Sequence, residues 1–370
     1  MTFQVPVVDI APYVTGGTAA EKAEVARAVD EACRRVGFIQ ILGHGIAPEL
    51  QAGLAAAMDE FFGLDLEVKK RYRTPPGINR GYAPPKSESL SLSLGVESAS
   101  RMNDFFEAFN VGAAQSDYPG VDLDAEHYAE NTWPTDAAPG FEPRVTAYFA
   151  EAKRVATTMT TIFADALGLP EGFFDAFAGH SLDVLRMNNY ALPPGTVDLD
   201  GELTGMGEHT DYGIVTVLWA DQVKGLQVLG SDGSWNDVSP ADDALLINLG
   251  DITARWTNEQ WMSTLHRVKP PIVDGTIERR RSAAYFHDGD VDALITTLPS
   301  CVSEAHPNLY EPVTVGEHIA AKLAGSRAGV RNANAEREAA RVRAAASAAA
   351  PTAAATTAPA SSTPAAQGIQ

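Results

Sequence analysis

Cysteine and basic residues are scarce in this chain of 370 residues. The two cysteines, Cys33 and Cys301, form neither a disulfide framework nor the paired spacing of a zinc site. Lysine and arginine number 28 against 48 acidic residues, which gives a formal net charge of −20. Such a charge repels phosphate backbones and anionic lipids, so we expect neither nucleic acid nor a membrane as partner. The low cysteine content favours a reduced, cytoplasmic protein.

Long apolar runs are also missing. No stretch of about 18 apolar residues is present, so no transmembrane helix is expected. The N-terminal segment, MTFQVPVVDIAPYV, lacks the basic and apolar regions of a secretory signal. Hydrophobic residues nevertheless make up 45% of the chain, which is enough for a sizeable core. Nothing in the sequence specifies an oligomer, and a monomer is compatible with it.

The pattern of apolar residues divides the chain into three parts. Residues 1–125 predict a helical and loop region, in which Thr18 and Glu21 form a capping box and Cys33 lies on a buried helical stripe. Residues 126–325 predict a core domain supported by a long helix at about 142–167. Residues 326–370 form a tail rich in Ala, Pro and Thr. From about residue 344 the tail has almost no large apolar side chain, so we expect it to be disordered.

Short strand-forming runs follow one another after residue 183. They include DVLRMNNYAL, GIVTVLWA, GLQVL, ALLINLG, LHRVKPP and SAAYFHD, and the turn GSDGSW at 230–235 is typical of a hairpin. Many short strands without intervening helices indicate an antiparallel sandwich, barrel or jelly roll. The expected fold is therefore mainly β, with a jelly roll core and flanking helices.

The segment GEHTDYGIVTVLW, residues 207–219, places His209 and Asp211 two positions apart at the entrance to a strand. Side chains at this spacing on a strand face the same side. Two histidines and one carboxylate are the arrangement that holds non-haem Fe(II) with open positions. The third ligand must come from downstream. His266, in the strand STLHRV, is favoured, and His287, after AAYF, is its competitor. His318 is expected in a capped C-terminal helix away from the sheet.

These residues stand among motifs that resemble the isopenicillin N synthase-like group of Fe(II)/2-oxoglutarate-dependent oxygenases. The resemblance covers about residues 4–325. Its N-terminal motifs are VPVVDIAPYV, ACRRVGFIQILGHGI, RGYAPP and FFEAFNVG, and its core motifs are HTDYG, GLQVL, INLGDITARWTN, STLHRV and RRRSAAYF, in the family's order. The resemblance implies a double-stranded β-helix, the kind of jelly roll found in this family.

The resemblance also implies the roles of particular residues. His209, Asp211 and His266 match the iron ligands. Arg280 and Ser282 match an R-x-S motif that binds the distal carboxylate of 2-oxoglutarate, and the alternative register would use Arg281. Asn188 and Tyr190 match an N-x-Y segment that supports the same co-substrate. The substrate would be a small organic molecule, oxidised with O₂ and most often hydroxylated. Its binding surface is expected in residues 74–118 and in part of 300–330.

Two alternatives remain open at this point. One is an iron-dependent oxidase of the same fold that does not consume 2-oxoglutarate, as in isopenicillin N synthase. The other is a jelly roll that binds a metal and a ligand without turnover. Succinate release coupled to substrate oxidation would distinguish all three.

Deletion of residues 344–370 is expected to leave the melting temperature and turnover nearly unchanged, because the segment has almost no side chain to pack. Thermal unfolding of the full and shortened proteins checks this. A fall of several degrees in the shortened protein would show that the tail docks on the folded domain.

Overall fold

The computed structural model describes most of the two folded regions. The described residues are 3–75, 77–85, 87, 90–94, 106–191, 205–269, 272–273, 276–328, 337 and 340. The prediction of a disordered segment from about residue 344 concerns residues outside them. Among the described helices, none is both long enough and apolar enough to cross a membrane.

The N-terminal region alternates short strands with helices. In chain order its elements are β1 (Val7–Asp9), α1 (Ala11–Val14), α2 (Ala19–Arg35), β2 (Phe38–Leu42), α3 (Pro48–Phe62), α4 (Leu66–Lys70), β3 (Gly81–Ala83) and β4 (Glu107–Gly112).

The remainder begins with a long helix and continues mainly as strands. Its elements are α5 (Phe141–Leu167), β5 (Val184–Tyr190), β6 (Met206–His209), β7 (Val215–Ala220), β8 (Leu226–Leu229), β9 (Trp235–Asp237), β10 (Leu245–Leu249), α6 (Asp251–Trp256), β11 (His266–Val268), β12 (Ile272–Val273), β13 (Thr276–Ile277), β14 (Arg280–His287), β15 (Leu294–Ile295), β16 (Val313–Thr314) and α7 (Val315–Ala328).

Two facing sheets form the centre of the molecule. The larger has eight strands in the order β1-β2-β10-β7-β14-β5-β4-β3, and the smaller has the order β6-β11-β8-β9. Within these two sheets the pairing of β1 with β2 is parallel and the others are antiparallel. Apolar side chains from both sheets, among them Phe38, Leu226 and Val268, pack against one another between them. The predicted jelly roll with flanking helices is confirmed.

Alternate residues of the central strands face opposite sides of the larger sheet. On β14, Ala283 and Tyr285 belong to the main hydrophobic core, whereas Ser282 and Ala284 line a cavity between the sheets. This is the two-residue period of a strand. Helices α2, α3 and α5 cover the core side, where the rings of Phe149 and Tyr285 lie 5.1 Å apart. The larger sheet therefore has helices on one face and the cavity on the other.

Several local predictions for the helices are confirmed. Thr18 and Glu21 exchange both bonds of a capping box at the start of α2, and Cys33 is fully buried on that helix. The long predicted helix is α5, which ends at Gly168 in the left-handed conformation. These features depend on neighbours within one helix, which a sequence pattern contains.

The N-terminal region holds more strand than its sequence predicts. A single strand is expected in the first 70 residues, but β1 adds a second one beside β2. Residues 74–140 are expected to be irregular, but β3 and β4 extend the larger sheet beyond β5. The three-residue strands β1 and β3 are too short to show a period. They form because the edges of the larger sheet offer unpaired backbone groups.

Candidate active site

Three side chains with metal-binding atoms meet in the cavity. His209 is the last residue of β6, Asp211 lies in the turn that follows, and His266 begins β11. His209 and His266 are direct partners across the antiparallel ladder. The ligand atoms of the three residues all lie within 4.8 Å of one another, and all three side chains are buried. The strand pairing thus brings His209 and His266 together, and the segment that follows β6 places Asp211 beside them.

The carboxylate of Asp211 is oriented by two donors. Oγ1 of Thr216 and Nδ2 of Asn248 each donate a hydrogen bond of 2.5 Å to its Oδ2. The other oxygen, Oδ1, lies 3.9 Å from Nε2 of His209 and 3.6 Å from Nε2 of His266. One oxygen is therefore held away from the imidazoles, and the other is directed toward them. Such support fixes the geometry of a metal ligand.

Hydrogen bonds to the backbone also fix both histidine rings. Nδ1 of His209 lies 2.7 Å from the carbonyl oxygen of Gly207, and Nδ1 of His266 lies 3.1 Å from that of Thr264. Because a carbonyl only accepts, each Nδ1 donates to it, and this bond fixes the orientation of each ring. Burial and the neighbouring His266 lower the pKa of His209 to about 3. The ring of His209 is therefore neutral at neutral pH, as a metal ligand requires.

The competing histidines have other partners. Nδ1 of His287 lies 2.8 Å from Oδ1 of Asp183 and 3.3 Å from Oγ of Ser181, on the core side of β14. His306 contacts the carbonyl oxygen of Asn258 through Nε2 at 2.8 Å. Both histidines therefore stabilise the fold at some distance from the cluster, and His266 completes it.

Helix α7 lies over the cavity, but His318 itself is not among the cavity-lining residues: its Nε2 lies 3.6 Å from Oδ2 of Asp251 on α6. Thr314 and Glu317 cap α7 as predicted. The helix then packs over the cavity, which Ile319 and Leu323 help to line. A helix this apolar must bury one face, but the sequence does not show which surface receives it. Part of residues 300–330, where the substrate-binding surface is expected, thus lines the cavity through α7.

The cavity has a volume of about 680 Å³, within the usual range for a small-molecule site. Its wall is largely apolar, with Leu218 and Val268 on opposite sheets. Arg186, Asn110 and Asp288 add polar groups. Burial, together with the nearby acidic groups, raises the pKa of Asp288 well above its ordinary value. Asn110 belongs to the region of residues 74–118 that was expected to contact substrate.

The four residues matched to 2-oxoglutarate lie together on β5 and β14. Arg280 stands opposite Tyr190 and Ser282 opposite Asn188, and all four line the cavity. The guanidinium of Arg280 lies over the ring of Tyr190, 5.2 Å from its centroid. Arg280 is 2% exposed, and its Nε and Nη1 have no hydrogen-bond partner among the described residues. Buried donors without acceptors indicate a place for an anionic ligand.

The neighbouring arginines point out of the cavity. Nη1 of Arg281 lies 2.8 Å from Oδ2 of Asp59, and Nη1 of Arg279 lies 2.6 Å from Oδ1 of the same carboxylate. Nε of Arg281 also contacts Asp221 at 3.4 Å. Because successive residues of a strand alternate, only Arg280 of the three faces inward. The geometry thus favours the register with Arg280.

Sequence reasoning missed Thr216 and Asn248, which hold Asp211. Neither belongs to a recognised spacing. A signal was nevertheless present, since Asn248 is a single polar residue in the otherwise apolar strand LLINL, which is buried throughout. A buried amide needs a hydrogen-bond partner, and here the partner is the carboxylate of Asp211.

Gly213 brings the turn of Asp211 close to β14. A Cβ at this position would lie 1.9 Å from Oδ1 and 2.7 Å from Cα of Asp288. We expect Gly213→Ala to displace the turn, lower stability by about 1–3 kcal/mol and weaken metal binding. Thermal unfolding and Fe(II) titration measure both effects. Gly53→Ala on α3, where the added Cβ meets nothing closer than 3.9 Å, is the matched control. Wild-type behaviour of Gly213→Ala would contradict the expectation.

Comparison with known families covers both regions. Residues 5–136 match the family described as non-haem dioxygenase in morphine synthesis N-terminal, and residues 182–289 match the 2OG-Fe(II) oxygenase superfamily. The 2-oxoglutarate-Fe(II) type oxidoreductase hxnY of Emericella nidulans is 32% identical over 85% of this chain and 88% of its own length. The chain belongs to the Fe(II)/2-oxoglutarate dioxygenases. It is an enzyme that uses Fe(II) and 2-oxoglutarate and acts on small molecules.

Two further relatives show how varied this dioxygenase family is. Validamycin A dioxygenase of Streptomyces hygroscopicus subsp. limoneus is 31% identical over 87% of this chain and 86% of its own length. The solved structure of a full-length Neurospora crassa protein in complex with alpha-KG and thymine has a TM-score of 0.74 and 27% identity, and the match covers 86% of this chain and 96% of that chain. These relatives favour the enzyme that consumes 2-oxoglutarate over the oxidase and the non-catalytic module.

Proposed function

We propose that His209, Asp211 and His266 hold the Fe(II) of this dioxygenase. The observation that carries the proposal is the meeting of two imidazoles and one oriented carboxylate in a single cavity. Two nitrogens and one oxygen are the donor set that non-haem Fe(II) prefers, and they leave other positions open. The hydrogen bonds on Oδ2 of Asp211 and on both Nδ1 atoms direct the remaining donor atoms inward.

We propose further that Arg280 binds the distal carboxylate of 2-oxoglutarate, with Ser282, Asn188 and Tyr190 beside it. The residues fit the group because Nε and Nη1 of Arg280 are buried and have no acceptor within the described part of the chain, and a planar guanidinium suits a carboxylate. Tyr190 supports the guanidinium from one side. Ser282 and Asn188 are opposite one another on the same two strands, one step further along the cavity wall.

The proposed reaction joins 2-oxoglutarate, O₂ and a substrate C–H bond, and it yields succinate, CO₂ and an alcohol. When bound, the iron supplies the activation of O₂ and the oxidative decarboxylation of 2-oxoglutarate. The protein supplies placement: Arg280 anchors one end of the co-substrate, and the hydrogen bonds at Nδ1 of His209 and His266 orient both imidazoles. The apolar wall excludes water, which strengthens the interaction of Arg280 with a carboxylate.

We propose hydroxylation as the outcome, with the substrate bound near Arg186, Asn110 and α7. These groups line the cavity beside the residues assigned to iron and 2-oxoglutarate, and Nε of Arg186 donates a hydrogen bond of 3.2 Å to Oδ1 of Asn188. The identity of the substrate cannot be inferred from the relatives, because validamycin A and thymine, which two of them name, are different molecules. One iron-based oxidant can give either hydroxylation or desaturation. The position of the substrate in this part of the cavity would therefore decide which product forms.

We also propose a monomeric, cytoplasmic enzyme with the chain divisions 1–125, 126–325 and 326–370. Both cysteines are buried free thiols, which suits a reducing compartment. The exposed large apolar side chains among the described residues are scattered: Val7, Leu66, Val121, Leu294 and Val302. Because the N-terminal strands join the larger sheet, the division at residue 125 is one of sequence rather than of separate folding units.

A metabolite screen tests the proposed reaction. The purified protein with Fe(II), 2-oxoglutarate and O₂ is expected to release succinate in proportion to oxidised substrate, and to release little without Fe(II). Mass spectrometry of the product distinguishes hydroxylation, a gain of one oxygen, from desaturation, a loss of two hydrogens. Substrate oxidation that proceeds without 2-oxoglutarate would contradict the proposal.

A further inference from the structure

A lysine is buried beside the turn of residues 209–212. Lys322 lies on α7 with 1% exposure, and lysine is almost never fully buried unless its charge is paired. Its Nζ lies 2.8 Å from Oδ2 of Asp251, 2.9 Å from Oγ1 of Thr210 and 5.1 Å from the ring centroid of Tyr212. Thr210 stands between the two proposed ligands of this turn, and Tyr212 follows the second. The ammonium group therefore contacts this turn at Thr210 and at Tyr212, the residues that follow the two proposed ligands.

Asp251 extends these contacts to the segment of the third proposed ligand. Its backbone N–H donates to the carbonyl oxygen of Asp211 at 2.9 Å. Its Oδ1 accepts a hydrogen bond of 2.6 Å from Oγ of Ser263, three residues before His266. Lys322, Asp251, Thr210 and Ser263, here named the Lys322 cluster, thus contact both chain segments that carry the proposed iron ligands.

The same helix forms part of the substrate cavity. Ile319 and Leu323, one turn apart on α7, line the cavity on either side of Lys322 in the sequence. A displacement of α7 would therefore move the cavity wall and Lys322 together. The buried ion pair with Asp251 opposes such a displacement, because separation would leave an ammonium and a carboxylate in the interior without each other's opposite charge.

We propose that Lys322 is a positioning residue for the iron centre. It holds Thr210 and Asp251 so that the donor atoms of His209 and Asp211 stay directed at one point, and it joins the α7 wall of the cavity to them. The proposal rests on the function proposed above, because it requires these residues to be iron ligands.

The test uses metal binding by the full-length protein. Lys322→Met keeps the length of the side chain and removes its charge. We expect its affinity for Fe(II) and for Co(II) to fall about 10- to 100-fold, as follows the loss of residues that support metal ligands. We also expect the visible absorption of bound Co(II), which reports the arrangement of its ligands, to change.

Lys69→Met is the matched control. Lys69 is also buried and paired, with its Nζ 2.7 Å from Oε2 of Glu107, but its other hydrogen bond goes to the carbonyl oxygen of Phe62 rather than to a segment of the proposed ligands. This variant should lose stability and still bind Co(II) with wild-type affinity and spectrum. Equal weakening in both lysine variants, or normal affinity and spectrum in Lys322→Met, would overturn the proposal.

A second variant covers the case in which Lys322→Met does not fold. Lys322→Met combined with Asp251→Asn leaves no lone buried charge, yet it still removes the ammonium from Thr210. Weak Co(II) binding by this double variant supports the proposal, and wild-type binding overturns it. His209→Ala separates the two assignments. If His209→Ala still binds the metal, the ligand assignment is contradicted. If His209→Ala loses the metal while the Lys322 variants bind it normally, only the role of Lys322 is contradicted.

Discussion

Alanine at His209, Asp211 or His266 is expected to abolish stoichiometric Fe(II) binding and succinate release while the fold remains. Each change removes one of the three proposed iron ligands. The loss should therefore exceed the roughly 10- to 100-fold that follows removal of a residue supporting a ligand. The three side chains line the cavity rather than the helix-packed core, so the secondary structure should persist. Anaerobic Fe(II) titration and circular dichroism measure the two properties.

His287→Ala is the control for the choice of histidine. His287 is buried and bonded to Asp183, so its removal should lower the melting temperature. Iron binding should persist, because His287 lies on the core side of β14. Stoichiometric Fe(II) in His266→Ala, paired with its loss in His287→Ala, would show that the wrong histidine was assigned.

The sequence predicts best where one strand or one helix contains the whole signal. The direction of Arg280 follows from alternation along β14, which also sends Arg281 to Asp59 on the other face. The capping box of Thr18 and Glu21 is likewise complete within four residues. In each case the deciding contact lies a few positions away in the chain, so spacing alone contains it.

Prediction fails where the deciding contact is distant in the chain. Lys322 meets Thr210 across 112 positions, and α7 finds its place over the cavity through such contacts. The short strand β1 forms because its backbone pairs with β2, which is distant from it in the chain. The substrate part of the cavity is distant in the same sense, since Asn110 and Arg186 become neighbours only when β4 and β5 pair. The spacing of residues along the chain does not predict these long-range contacts.

The second large effect is expected on the binding of 2-oxoglutarate, at the carboxylate that lies away from the iron. Arg280→Gln should raise the apparent KM for 2-oxoglutarate steeply while Fe(II) binding stays intact. The change leaves a buried carboxylate without its charged partner, a loss on the order of 2–5 kcal/mol. At about 1.4 kcal/mol for each tenfold, this corresponds to roughly 30- to 4,000-fold in affinity. Succinate release measured against 2-oxoglutarate concentration gives the KM, and a metal titration of the same variant checks the iron.

Arg281→Gln is the neighbouring control, because it makes the same chemical change one residue along the strand. Arg281 contacts Asp59 and Asp221 outside the cavity, so its loss should leave the KM for 2-oxoglutarate close to that of the wild type. The exposed and half-exposed ion pairs that it would lose contribute little to stability, about 0–1 kcal/mol each. If Arg281→Gln proves the more damaging change, the co-substrate carboxylate binds on the opposite face of β14. If neither change affects the KM, its binding site lies on another strand.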